Sequence, residues 1–382
     1  MLDQVTAWAA VNSGSRNLAG LETMAGLLAD AFAALGKVEL RDAAPVEAMR
    51  ADGTLAPLAH GRNLHLAVRP TAPVQLLLTG HMDTVFAADH PFQKLSWREE
   101  GVLGGPGVAD MKSGLAIMLA ALRAVEGAGA PELGYEVVIN SDEEVGSPGS
   151  AALIAAAARG KRAALTYEPA ALPDGTLAGA RPGSGNFSIL VGGRSAHAGR
   201  NPEEGRNAVV AAAELALRLD REKSDALKIN VARIDGGGPN NVVPDRAVLH
   251  LNLRPATPEG ERAAQRLLEE TIAAVAGAHG VDIHVHGGFG RPPKPLDARA
   301  RQLFELVRRC GADLGQEIGW RDSGGVCDGN NIAACGVPVV DTMGARGGAI
   351  HSDQEYLIVG SLVERAQLSA LTILRLARGE DL

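Results

Sequence analysis

The sequence predicts an α/β protein in which a discontinuous domain, residues 1–180 and 290–382, holds a mostly parallel sheet between helices. A smaller α+β domain, residues 181–289, is expected as an insertion in it. Three observations lead there. Up to residue 180, short and nearly unbroken apolar runs alternate with helical stretches, as strands covered on both faces require. Beyond it the strands alternate apolar with polar residues, in the order strand–helix–strand–strand–helix–strand of a ferredoxin-like split unit. Glycine and proline clusters at 181–183 and 287–293 bound that stretch and read as hinges.

The elements follow in order. Over residues 16–35, Leu18, Leu21, Met24, Ala25, Leu28 and Phe32 recur at helical spacing. Residues 63–68 and 74–79 read as strands, the second almost wholly apolar. A helix rich in Ala, Leu and Met is expected over 111–125, a buried strand over 135–140, a short helix over 150–158 and a strand over 163–167. In the insertion, strands are expected at 186–191, 227–234, 246–253 and 281–285, with helices at 207–219 and 259–278. The remainder returns to mixed helix and strand and closes on a long helix from about residue 355.

Composition removes several classes of function. With 382 residues the chain exceeds one comfortable core. A net charge of -8, with Lys and Arg scattered, gives no electrostatic case for nucleic acid. No uninterrupted apolar run approaches the length of a membrane span, so no membrane partner is expected. Cys310, Cys327 and Cys335 have no Cys-x-x-Cys spacing, which argues against a zinc ribbon or a disulfide scaffold. Reduced thiols point to a cytoplasmic setting, and the first residues lack a basic segment followed by an apolar run. An exported relative that had lost its leader would look the same.

Five short signals fall where α/β sheets place their active sites, at strand and helix ends. They are Gly80-His81-Met82-Asp83 after the 74–79 run, Asp110 at the mouth of the expected 111–125 helix, and Ser141-Asp142-Glu143-Glu144 after the 135–140 strand. Tyr167-Glu168-Pro169 and His351, in a glycine-rich loop, complete the set. Taken singly, each reads as a loop histidine, a helix cap or a solvated acid. Together they form a mixed nitrogen and oxygen set suited to zinc, cobalt or manganese. Asp110, Glu144 and Glu168 offset three of the four charges of two divalent ions, and a bound hydroxide would offset the fourth. Two metals with a spare Glu for proton transfer therefore fit better than one. Asp83, two residues past His81, is placed to orient that ring.

These strings, with Ala109-Asp110-Met111-Lys112 in the same order, resemble the dinuclear zinc metallopeptidase family of acetylornithine deacetylase, succinyl-diaminopimelate desuccinylase, aminoacylase and bacterial glutamate carboxypeptidase. The likeness covers essentially the whole chain and includes Ser195-Ala196-His197 and Asn240-Asn241-Val242 in the insertion. It implies that His81 and Glu168 hold one metal, that Glu144 and His351 hold the other, and that Asp110 bridges both. It further implies Glu143 as general base, a cis peptide after Asp110, and a lid or dimerisation role for the insertion. His197 would then stabilise an oxyanion in a partner's active site, so a homodimer is implied. The expected reaction is hydrolysis of an amide by a metal-bridged hydroxide, in a dipeptide-like or small-molecule substrate bearing a free carboxylate.

The glutamate carboxypeptidase branch is the most similar. Arg254 and Arg291 match its carboxylate-gripping arginines, and Asn241 joins them as a substrate-binding candidate; guanidinium geometry suits a carboxylate. Thr176 stands where that branch has a lysine, and Arg181-Pro182-Gly183 changes the charge near one hinge. Both departures argue against glutamate specificity, while a substrate with a free α-carboxylate, cut by a carboxypeptidase or an N-acyl-amino-acid amidohydrolase, stays expected. The loop 323–330 resembles the family's glycine-rich substrate loop, with Cys327 as a packing residue. A catalytically silent metal-binding scaffold, or a plain α/β protein with no metal, are the readings from other classes.

Overall fold

The computed structural model describes residues 1–380, which form two compact units. Among the described residues, the larger comprises 1–44, 59–180 and 295–380; the smaller comprises 45–58 and 181–294. The hairpin of Glu47–Met49 with Leu55–Pro57 therefore packs with the smaller unit, whereas the sequence reading placed it in the larger domain. Gly53, at φ 77°, turns beside the Leu190 side chain there, and His286 Nε2 meets the Glu47 carbonyl at 3.0 Å.

A six-stranded sheet runs through the larger unit in the order Val38–Arg41, Asn63–Val68, Leu133–Asn140, Val74–His81, Ala163–Thr166, Val339–Val340. The last four are mutually parallel and the first two pair antiparallel, as the mostly parallel α/β reading expects. Leu76, Leu77 and Leu78 are all buried, because helices cover both faces. Residues 18–35, though interrupted by Glu22 and Asp30, match a membrane span in length and mean hydropathy alone. In the structure Leu21, Met24, Ala25, Leu28 and Phe32 turn that helix's apolar stripe into the core.

The smaller unit carries an antiparallel sheet in the order Leu227–Gly236, Arg246–Pro255, Ser184–Gly192, Asp282–Arg291, with helices Ala208–Asp220 and Pro258–His279 packed on it. This is the ferredoxin-like order. One expectation is corrected here. The last strand, expected to end at 285, runs on to Arg291 through part of the glycine and proline cluster, because Gly287 and Gly288 pair with Phe187 and Asn186 beyond the point where the apolar alternation stops.

Two further corrections belong to the larger unit. The last helix begins at Ser361, not near 355, since Tyr356–Ile358 pairs as a strand with Val102–Gly104. The helix expected from residue 111 is regular only from Ser113 to Ala128. Asp110 and Met111 have extended or irregular torsions, and the peptide between them is cis, as the resemblance implied.

Candidate metal centre

Three neighbouring parallel strands end side by side and set the centre. His81 is the last residue of Val74–His81 and stands in register with Asn140, whose strand runs on into the acidic turn at Glu143–Val145. On the other flank, Thr79 pairs with Thr166, and Glu168 follows two residues later. Carboxyl ends of adjacent parallel strands point the same way, so residues far apart in sequence converge. Asp110 arrives from the turn before the Ser113–Ala128 helix. Gly114 lets that helix approach closely: a Cβ there would lie 2.0 Å from the Tyr167 carbonyl oxygen.

Asp110 lies between two imidazoles. Its Oδ1 is 3.1 Å from His81 Nε2, and its Oδ2 is 3.2 Å from His351 Nε2. On the first side Glu168 Oε2 lies 3.7 Å from His81 Nε2; on the second Glu144 Oε2 lies 3.1 Å from His351 Nε2. Two donors held at about 2.0–2.1 Å by a tetrahedral zinc lie about 3.3 Å apart. The observed spacings bracket that figure, and the nitrogen and carboxylate donors are those zinc takes, so these residues fit a metal pair. Ligand atoms of His81, Glu143 and Glu168, and of His81, Asp110 and Glu144, also gather within 4.8 Å of one another.

Asp83 is wholly buried and reaches further than its expected task. Its Oδ1 lies 3.4 Å from His81 Nδ1, while its backbone carbonyl is nearer that nitrogen, at 3.0 Å. The carboxylate also accepts the backbone N–H groups of Glu143 at 3.1 Å and Glu144 at 3.2 Å, and the Ser15 hydroxyl at 2.7 Å. Below the turn, Ser150 and Gly149 donate to Asp142, and Asn140 and Ser147 donate to Asp328.

Electrostatics favour cations in this place. Burial works against protonating His81, yet Glu168, Asp110 and Asp83 hold its pKa well above the usual imidazole value. Burial likewise opposes ionising Asp110, but hydrogen bonds from His351 and His81 keep its carboxyl below the usual range. Burial, reinforced by the Asp110 charge, pushes Glu144 up to about 8. Hydrogen bonds to Asp110 and Glu144 push His351 up to about 11, so the Glu144–His351 pair keeps a proton above neutral pH. Without metal the protonated rings offset only part of the carboxylate charge; a divalent ion would offset more of it and displace those protons.

Of the expected site residues, the structure brings together His81, Asp83, Asp110, Glu143, Glu144, Glu168 and His351. All are nearly buried at the side chain except His351, which is about half exposed. His197, Asn241, Arg254 and Arg291 belong to the smaller unit. His197 Nδ1 accepts the amides of Gly199 and Arg200 at 3.1 and 3.2 Å, which leaves Nε2 to carry the proton of the neutral ring. Asn241 sits beside it, its carbonyl accepting from Ala198 at 3.0 Å. Arg254 donates to Asn252 at 2.9 Å, and Arg291 pairs with Ser184 at the same end of the sheet. There Arg181 and Lys294, which exchange backbone hydrogen bonds, are as buried as Arg291.

Sequence reasoning gave no role to Lys294, Lys112 or Glu355. Lys112 is buried and donates to the Val11 carbonyl at 2.8 Å. The one signal for Glu355 was an acid four residues after His351, unremarkable in a loop already rich in polar residues. Cys327 is buried, its N–H donating to Asn330 Oδ1 at 3.2 Å, and no disulfide joins Cys310, Cys327 and Cys335.

Comparison with known proteins bears on family and fold. A profile of Peptidase family M20/M25/M40 matches residues 77–375. Carboxypeptidase G2 from Pseudomonas sp. (strain RS-16) is 31% identical over 331 residues, which span 85% of this chain and 79% of that protein. Aminopeptidase PepT from Bacillus cereus has a similar structure, with a TM-score of 0.72 at 25% identity over 98% of both chains. A Bacillus subtilis protein described as a dinuclear metal binding peptidase shares the fold, with a TM-score of 0.66 at 15% identity over 98% of this chain and 97% of its own.

Proposed function

Because the chain belongs to peptidase family M20/M25/M40, we propose that it is a two-metal hydrolase that cuts an amide bond in a substrate with a free carboxylate. The observation that carries the reading is the single Asp110 carboxylate offering one oxygen to each of two histidines, each accompanied by a Glu. His81 and Glu168 are the proposed ligands of one ion, Glu144 and His351 of the other, with Asp110 shared. Zinc is the proposed metal, with cobalt and manganese suited to the same donors.

When bound, the ions supply a water of lowered pKa and positive charge for the amide oxygen. The protein's part is positional and protonic. Asp83 holds His81 and the acidic turn in one arrangement. Glu143, on that turn, takes a proton on its carboxylate from the attacking water and returns it to the leaving nitrogen. His197, with its proton on Nε2, is the proposed donor to the oxygen that gains charge. Arg254 and Arg291 are proposed to take the substrate carboxylate, supported by the concentration of buried cations at that end of the smaller unit. Dimerisation through the smaller unit belongs to the same proposal, as does a C-terminal or N-acyl amino acid as the moiety released.

The test measures metal content and release of free amino acid together, for the wild type and Glu143→Ala. The panel is N-acyl amino acids and dipeptides, with zinc, cobalt or manganese supplied. About two metals per chain in both proteins, with turnover in the wild type alone, is the expected result. Metal bound without cleavage of any substrate would favour a silent binding protein. Absence of metal from the wild type would overturn the reading.

A further inference from the structure

Asp110 can serve two neighbours only if its backbone is held so that its two oxygens diverge toward His81 and His351. Ordinary secondary structure does not hold it. Residues 107–110 form a turn with Gly107 in the left-handed region and Asp110 and Met111 outside helical torsions. The amides of that turn converge instead on one side chain. Glu355 Oε1 accepts the N–H of Ala109 at 2.9 Å and of Asp110 at 3.0 Å, and its Oε2 accepts the N–H of Gly107 at 3.1 Å. The Glu355 side chain is buried, so these hydrogen bonds do not compete with water.

Glu355 also belongs to the loop that delivers His351. That loop is closed by pairing of Gly347 with Leu357 and Gly348 with Tyr356, while Tyr356 pairs onward with Gly104. Within it the Glu355 N–H donates to the Ser352 carbonyl, and the Glu355 carbonyl accepts from Gly105. Side chain and main chain of one residue thus grip the turn bearing Asp110, while its own loop bears His351.

We propose that Glu355 is a positioning residue that fixes Asp110 and His351 relative to one another, so that the ion shared between their loops finds a preformed site. The inference rests on the metal-centre reading above. An Asp side chain would fall one methylene short of the amides, and Gln would turn an NH2 toward N–H donors.

The experiment titrates cobalt(II) chloride into chelator-stripped wild type, Glu355→Gln and Glu355→Asp. It records stoichiometry, affinity, the visible cobalt spectrum, circular dichroism and thermal melting. The wild type is expected to bind two ions. The variants are expected to keep the wild-type circular dichroism but to bind at least one ion about 10- to 100-fold more weakly, with a changed spectrum. A folded Glu355→Gln protein with wild-type affinity and spectrum would overturn the inference and leave the metal reading standing. Failure of the wild type to bind cobalt would overturn both. Should the variants not fold, amide hydrogen exchange in the stripped wild type decides: slow exchange at Gly107, Ala109 and Asp110 supports the clamp, and loop-like exchange there refutes it.

Discussion

The Asp83 carboxylate accepts the backbone N–H of Glu143 at 3.1 Å, so the residue expected to orient a histidine also sets the turn that carries the proposed base. Asp83→Asn keeps size and shape but turns an NH2 toward amides that need an acceptor. Turnover is expected to fall about 10- to 100-fold or more, with a smaller change in KM. Steady-state kinetics beside metal analysis checks this; unchanged kcat would show that the turn holds itself.

Removal of metal should cost stability as well as activity. Buried carboxylates and protonated imidazoles share the centre, and ions that bind only the folded chain stabilise it by mass action. At free metal 100-fold above Kd this is about 2.7 kcal/mol per site. A chelated sample should melt lower than the metal-loaded one and recover on addition of zinc, by calorimetry.

Gly114→Ala tests the close approach of helix and strand. Its Cβ would meet the Tyr167 carbonyl oxygen at 2.0 Å, one residue before Glu168. A backbone shift costing about 1–3 kcal/mol is expected. Metal affinity should weaken with it, because Glu168 moves with Tyr167. Urea unfolding and cobalt titration read the two effects separately.

An acid-stability prediction lies away from the centre. Arg69 grips Glu126 through both oxygens, at 2.9 and 2.6 Å, and its hydrogen bonds hold the Glu126 carboxyl below 4.5. Since the folded value is the lower one, the stabilisation is complete above pH 4.5 and fades as pH falls through the folded value. Both side chains are about a third exposed, so Glu126→Gln is expected to cost no more than about 1 kcal/mol at pH 7. At pH 3 the difference from wild type should shrink in urea unfolding; an equal or larger difference there would refute the assignment.

Much of this protein was legible in its sequence, because hydrophobic periodicity reports local burial and short motifs report local chemistry. The runs at 63–68 and 135–140, and the strand–helix order of the smaller unit, lie where the pattern places them. His81, Asp110, Glu143, Glu144, Glu168 and His351 stand out once read as one set of metal-type donors. The tertiary structure decided what depends on register and on contacts between distant residues. Residues 287–291 became strand because a neighbouring strand offered hydrogen bonds that glycines accept as readily as any residue. Pairing with Val102–Gly104 kept Tyr356–Ile358 out of the last helix. Glu355 gained its place from three backbone amides nearly 250 residues earlier. Such amides are identical in every residue, so no side-chain pattern could announce them; only the folded chain brings donor and acceptor together.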